Sequence, residues 1–381
     1  MQVTLGDFAL SRLPKRKGEL LRAWDAADEY LLNTLVEQSL LHTGSRILIV
    51  NDSFGALAVA LSRYRPQSLS DSWLCHAATK MNLQANTLEE QSVELFDSLN
   101  VPARQQAALD LILIKVPKTL ALLEDELIRL APLLTEKTQV IVAGMVKALP
   151  SSVWKMLERL WGPTTTSLAK KKAKLIFVKP EHQDSVGESP YPVCYSLEGT
   201  THRICNHANV FSRDSLDIGT RLFLQHLPEN IGDKVVVDLG CGNGVVGLIA
   251  AERNPQARLH FVDESFMAVA SARENFSHNL GEERVVHFYV GDALSDFDKA
   301  SADIILCNPP FHQGSTVGGQ IARRMFQQSR QVLREGGELW VIGNRHLGYH
   351  KVLSKIFGNS EQIASNAKFV IMRAVVSAST R

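Results

Sequence analysis

Cysteine is scarce. The five present, Cys75, Cys194, Cys205, Cys241 and Cys307, are odd in number and scattered, which argues against a disulfide framework. No C-x-x-C pair occurs, so no zinc or other metal site is expected. No apolar run is long enough to span a bilayer, and the N-terminus carries no signal-peptide pattern. A reducing cytoplasm is the compartment these absences fit. Strong charge is missing too, since the net value is only +1. Apolar content is ordinary for a globular chain at 45%, and charged content is slightly low at 21%. A length of 381 residues is enough for two domains, each with its own core.

The charge is unevenly spread. Residues 1–180 hold 22 Lys+Arg against 18 Asp+Glu, and residues 181–381 hold 19 against 22. Two basic clusters stand out, Lys15-Arg16-Lys17 and Lys170-Lys171-Lys172 with Lys174. They suit a phosphate backbone, although any one such cluster also occurs as a solvated loop.

Asn308-Pro309-Pro310-Phe311 is the most informative stretch. It follows the apolar run Ala302 to Cys307, which reads as a buried strand. Paired prolines cannot continue a sheet ladder, so the strand must stop there. Asn308 is thereby left at a C-terminal strand end, where open α/β sheets bind their ligands. Its amide oxygen and the Pro309 carbonyl are acceptors suited to an exocyclic amine, and Phe311 can stack on the ring that bears it. The plainer alternative is a strand-ending turn with a satisfied Asn and a core Phe.

Upstream, Val235 to Leu248 reads as strand, Gly-rich turn and helix, with Gly240, Gly242, Gly244 and Gly247 in the turn. Asp238 at the strand end disfavours a pyrophosphate ligand and suits one carrying an amino group and a sulfonium, as S-adenosylmethionine (SAM) does. A second strand, Leu259 to Asp263, ends in a carboxylate placed to hold ribose hydroxyls. A third, Val285 to Val290, leads into Asp292 and Ala293, which can meet an adenine amine and face. Both Asp263 and Asp292 also read as helix N-caps. This order resembles the class I SAM-dependent methyltransferases that modify amines, over roughly residues 200 to 381. The resemblance implies that Asp238, Gly240, Gly242 and Asp263 contact the methionine and ribose, Asp292 the adenine, and Asn308 the acceptor amine.

The chain also repeats itself. Asp110 to Lys118 aligns without gaps on Asp303 to Phe311, and Arg46 to Gly55 plays the part of the first strand and loop. So long a period means two related α/β domains, tandem Rossmann-like units from an internal duplication. The first copy is degenerate: it keeps only Gly55 of the loop glycines, and Lys115-Val116-Pro117-Lys118 replaces Asn-Pro-Pro-Phe. Lysine has no acceptor to orient an amine, but it can hold a phosphate. The expected layout is a degenerate, RNA-binding domain over 1–185, a linker and lead-in over 186–210 that becomes more ordered near the second domain, and a catalytic domain over 211–381. A helix is expected over Leu222 to Leu227, with Phe211 and Thr220 either enclosing the cofactor or serving as a core Phe and a helix cap.

The closing segment, from Val341 to Tyr349 and on to Ile371, is similar to that of the bacterial ribosomal RNA guanine-N2 methyltransferases. Asn344-Arg345-His346-Leu347 and the chain length favour the large-subunit (RlmG) type over the small-subunit (RsmC) type. What this implies is methyl transfer from SAM to the exocyclic N2 of one guanosine in 23S ribosomal RNA. Other readings stay open at this point: small-subunit RNA as substrate, N6-adenine or protein-glutamine methylation, or a non-catalytic RNA-binding assembly factor. Ribosomal RNA is the expected partner, with no membrane. The oligomeric state is not fixed by the sequence, and a monomer is compatible with it.

Overall fold

Short runs such as Ile47–Val50, all apolar, and Val235–Leu239, apolar but for Asp238, are buried on both faces, as parallel strands covered by helices must be. The computed structural model describes residues 1–15, 18–102, 108–181, 186–310 and 316–378. These form two units, Met1–Tyr191 and Pro192–Arg381.

The first unit begins with a small hairpin, β1 (Gln2–Val3) and β2 (Gly6–Asp7), and then α1 (Ala26–Glu37). Next come β3 (Ile47–Val50), α2 (Ala56–Ala60), β4 (Gln67–Ser70), α3 (Trp73–Ala85), β5 (Glu94–Asp97), β6 (Leu111–Lys115) and α4 (Leu120–Leu130). It closes with β7 (Gln139–Met145), α5 (Ser151–Leu160), β8 (Thr164–Thr166) and β9 (Ala173–Val178). Its seven-stranded sheet has the order β5-β4-β3-β6-β7-β9-β8.

The second unit opens with β10 (Val193–Ser196), β11 (Arg203–Asn206) and α6 (Ile218–Leu224). Then follow β12 (Val235–Leu239), α7 (Val245–Arg253), β13 (Arg258–Asp263), α8 (Phe266–Leu280), β14 (Val286–Val290) and β15 (Ala302–Cys307). The last elements are α9 (Thr316–Val332), β16 (Leu333–Asn344), α10 (Tyr349–Phe357), β17 (Glu361–Ser365) and β18 (Phe369–Val375). The sheet order is β14-β13-β12-β15-β16-β18-β17, the same arrangement as in the first unit. In both sheets the first five strands of that order are parallel and the last two run antiparallel to their neighbours. Each is therefore a Rossmann-like sheet of the class I methyltransferase type. Because β12 pairs with β13 on one side and β15 on the other, the strand order reverses there, and it is beyond such strand ends that open α/β sheets bind their ligands.

Two sequence expectations need correction. Residues 186–210 are more lead-in than linker. Ser189 and Tyr191 donate hydrogen bonds to Asp125 and Glu124 of α4, and β10 and β11 form a hairpin fastened to α8. Asn275 makes that attachment by accepting from Cys205 N at 2.7 Å and donating to Cys205 O at 2.9 Å. Asn279 does the same one turn on, with Arg203. Asn275 and Asn279 thus grip the backbone of the hairpin, while its Leu197 and Ile204 enter the core of the second unit. The second correction is a disulfide, Cys194–Cys205. These cysteines stand directly opposite each other in the hairpin register, a pairing that linear spacing does not reveal.

α6 also begins earlier than expected, at Ile218 rather than Leu222. Asp217 is the N-cap, with its carboxylate accepting from Thr220 N at 2.8 Å. A side chain at Gly219 would put its Cβ 2.9 Å from the Phe369 ring, so glycine lets the first turn lie against β18.

Candidate active site

The site is built where β12 and β15 end side by side. After Leu239 the backbone turns through Gly240, Gly242 and Gly244, all at positive φ (72°, 53° and 76°). Side chains rarely adopt this conformation, and three such residues in five make the turn depend on glycine. Gly240 N and Cys241 N both donate to Val262 O, which ties the loop to β13. An ideal Cβ on Gly240 would lie 3.9 Å from Asn308 O, so the loop and the end of β15 come together.

The glycines have different tasks. A Cβ on Gly242 would meet nothing within 4 Å, so this residue faces open space. A Cβ on Gly244 would lie 2.7 Å from the Ala272 Cβ, and one on Gly247 would lie 2.3 Å from the Phe261 ring. Gly244 and Gly247 therefore permit close packing of α7, whereas Gly242 leaves room for a ligand.

The carboxylates are equally distinct. Asp263 Oδ2 accepts from Gly242 N at 3.0 Å and Oδ1 accepts from Ser265 N at 3.1 Å. It thus holds the loop and sits at the end of β13 next to the open side of the turn. Asp238 is buried beneath the loop, with Oδ2 accepting from Gly247 N at 2.8 Å. Burial pushes its pKa up to about 8; the Gly247 N–H opposes the rise, and the Asp263 carboxylate adds to it. Asp238 supports the start of α7, with one oxygen committed to the backbone. Asp292 makes a two-pronged ion pair with Arg324 of α9. Arg324 was not singled out by the sequence, because nothing in the pattern of an amphipathic helix links it to a loop 32 residues upstream. Ala293, at φ 52°, forms the tight turn that follows.

Asn308 directly follows β15. Its Nδ2 donates to Thr220 Oγ1 at 2.9 Å, and Thr220 Oγ1 donates to Asp217 Oδ2 at 3.2 Å. The other end of the amide, Oδ1, is buried and has no hydrogen-bond partner among the described residues. An orphaned acceptor of this kind costs about 1–3 kcal/mol, unless a ligand supplies the donor. Thr220 is itself buried, while Phe211 is 67% exposed and so is not a core residue. Phe311 lies outside the described residues. The nearby thiols are inert: burial raises the pKa of both Cys241 and Cys307, and the Asp238 carboxylate adds to the rise at each.

Residues 1–182 match the model of the RLMG N-terminal domain, and residues 201–373 that of the Methyltransferase small domain. The chain is 50% identical over 369 residues to the ribosomal RNA large subunit methyltransferase G of Stutzerimonas stutzeri, covering 96% of each chain. To the protein of the same name from Streptomyces avermitilis it is 48% identical over 380 residues, with 98% of each covered.

The chain belongs to the ribosomal RNA large subunit methyltransferase G family.

A solved T. thermophilus 16S rRNA N2 methyltransferase (RsmC), in complex with AdoMet and guanosine, shares the fold. The TM-score is 0.75 at 21% identity, over 92% of each chain. As a member of the methyltransferase G family, the chain uses SAM, and its own geometry suits that cofactor. Gly242 opens on free space, Asp263 stands at the end of the neighbouring strand, and Asn308 Oδ1 is an acceptor with no partner among the described residues.

The same position in the first unit has a different fate. Lys115, the counterpart of Asn308, ends β6 as a buried ammonium paired with Asp28 at 2.7 Å and Asp25 at 2.9 Å. Burial would lower its pKa, but the two carboxylates outweigh this and raise it. Its charge is neutralised internally, which corrects the expectation that Lys115 holds a phosphate. The signal was hidden because Asp25 and Asp28 lie 90 and 87 residues away and become neighbours only through the fold.

Proposed function

We propose that this chain transfers a methyl group from SAM to the exocyclic N2 of a guanosine in 23S ribosomal RNA. The observation that supports it most is the fixed amide of Asn308, whose buried oxygen has no partner among the described residues and lies beside the glycine turn. When bound, SAM supplies a methyl group made electrophilic by its sulfonium.

The chain's part is to hold the acceptor. Guanine N2 is a poor nucleophile because its lone pair is delocalised into the ring. Asn308 Oδ1 and the Pro309 carbonyl accept its two N–H groups and favour a pyramidal nitrogen with its lone pair freed. This is catalysis by positioning and by placed dipoles, and it needs no strong base beforehand. A cysteine nucleophile has no place in it, since burial keeps the Cys241 and Cys307 thiols protonated. The base must leave its stack to reach the cleft, which favours loosely structured RNA. Phe311 is assigned the stacking role on sequence grounds alone.

The cofactor residues are proposed to be Gly240, Gly242 and Asp263, with Asp238 and Gly244 shaping the turn and the Asp292–Arg324 pair and Ala293 bordering the adenine end. RNA holding by the first unit moves from Lys115 to the exposed turn before β9, where Lys170, Lys171 and Lys172 follow one another. A cytoplasmic location follows from the substrate, and no described helix is long and apolar enough to cross a membrane.

Ribosomal RNA from cells lacking the protein, incubated with labelled SAM and the purified chain, should yield labelled N2-methylguanosine from the 23S fraction on nucleoside mass analysis. Asn308→Ala should lower the turnover by ~100-fold or more, as removal of a placed acceptor does. Label in methyladenosine, in the 16S fraction or in protein would overturn the assignment.

A further inference from the structure

Asn308 can serve as an acceptor only if its amide faces the right way, and the structure shows what sets that direction. We propose that Thr220 and Asp217 are positioning residues for the methyl transfer, locking the amide so that its oxygen rather than its nitrogen faces the acceptor amine. This rests on the function proposed above and adds the device that orients its central residue.

Proton counting fixes the direction. Asp217 Oδ2 already accepts from Thr220 N at 2.8 Å, and it accepts from Thr220 Oγ1 at 3.2 Å. The threonine hydroxyl has a single proton, and this bond commits it to the carboxylate. Towards Asn308 the hydroxyl then offers only lone pairs, so the amide must present Nδ2, as it does at 2.9 Å. A flipped amide would set Oδ1 against a hydroxyl with no proton to give, and would turn two N–H donors towards an amine that itself donates. Buried Thr220 sits on a helix turn pressed against Phe369, so the device is rigid.

The degenerate copy supports the coupling independently. Its α1 also starts at an aspartate cap, Asp25, and the residue three positions on is Asp28. Both face Lys115. The aspartate cap is thus kept, Asp217 in one copy and Asp25 in the other, while the position three residues on differs together with the strand end: Thr220 goes with Asn308, and Asp28 with Lys115. A hydroxyl suits an amide there, and a second carboxylate suits an ammonium. If Thr220 only capped the helix, its identity would not need to match the residue across the cleft.

The test uses the full chain, 23S RNA and SAM. Thr220→Val keeps the shape and the backbone cap but removes the hydroxyl. It should lower kcat by ~10- to 100-fold, the range set by one misplaced buried hydrogen bond. The SAM Kd by calorimetry and the Tm should stay near wild type, and Thr220→Ser should restore most of the rate. In an Asn308→Ala background, Thr220→Val should add no further loss to the single-turnover rate, because its effect runs through Asn308. Unchanged kcat in Thr220→Val, a loss accounted for by SAM affinity or Tm, failure of serine to rescue, or additive losses in the double variant would each overturn the inference. A wild-type chain inactive on guanine N2 would instead sink the proposed function first, so the two failures are distinguishable.

Discussion

At the scale of single residues, the sequence exposed what is covalently local and hid what is not. Asn308 could be read because two prolines end its strand, and the turn glycines because they crowd into five positions. Thr220 was legible as a helix cap or cofactor cover; its partnership with Asn308, 88 residues away, was not. Nor could the sequence separate glycines that face a ligand from those that permit packing. Gly242→Val should weaken SAM binding by ~100-fold or more, since a branched side chain at positive φ both fills the open space and strains the turn. Its stability should fall only by the ~1–3 kcal/mol that a side chain at positive φ costs, because a Cβ there meets nothing within 4 Å. Gly244→Ala should show the reverse balance: SAM affinity should change little, while the clash with Ala272 adds ~1–3 kcal/mol to the strain of a side chain at positive φ. Calorimetry for SAM and thermal melts of both variants check the split, and equal behaviour of the two would contradict it.

At the scale of elements, the strands were legible and the polar packing beneath them was not. The expected strand Ala302 to Cys307 is β15 as observed, because a continuous apolar run between turn signals has few alternatives. The hairpin of β10 and β11 escaped notice because Asn275 and Asn279 hold it by its backbone. Buried carboxylates in the first unit were equally silent. Glu126 of α4 is buried; Oε2 accepts from Asn51 Nδ2 at 2.7 Å, and Oε1 has no partner among the described residues. Burial pushes its pKa from 4.5 up to about 8, against the Asn51 hydrogen bond and with help from Asp71 and Asp125. Between those two values the folded chain keeps a proton that the unfolded chain has released. This group's contribution is therefore fullest below pH 4.5 and is lost as pH rises towards 8. Glu126→Gln should be close to wild type in stability near pH 5 and increasingly more stable towards pH 8, by at most about 1.4 kcal/mol per pH unit. Denaturant titrations at several pH values measure the gap, and a gap that stays constant with pH would refute the buried-proton account.

At the scale of the whole molecule, the duplication explains how one fold carries two tasks. The sheet order is identical in both units, so the scaffold was retained while the residues at the strand ends diverged. In the second unit those residues leave Asn308 Oδ1 without a partner among the described residues; in the first, Lys115, Asp25 and Asp28 close on one another. The RNA contact proposed for the first unit is therefore assigned to its surface. The turn leading into β9 exposes Lys170, Lys171 and Lys172, with Lys171 and Lys172 at φ 48° and 63°. Lys171 pairs with Glu29 at 3.1 Å and Lys170 approaches Glu37 at 3.9 Å. Exposed pairs of this kind are worth little and yield readily to a phosphate. Changing all three lysines to alanine should leave SAM affinity and Tm unaltered. It should weaken RNA binding, and the slope of log affinity against log salt should become shallower by ~2–3, since each phosphate that a lysine neutralises releases roughly one counterion. Changing Lys115 to methionine should leave that slope untouched, because its charge never reaches the surface. If instead the triple variant kept the wild-type slope while the Lys115 variant lost it, the first unit would bind RNA through its old cofactor cleft.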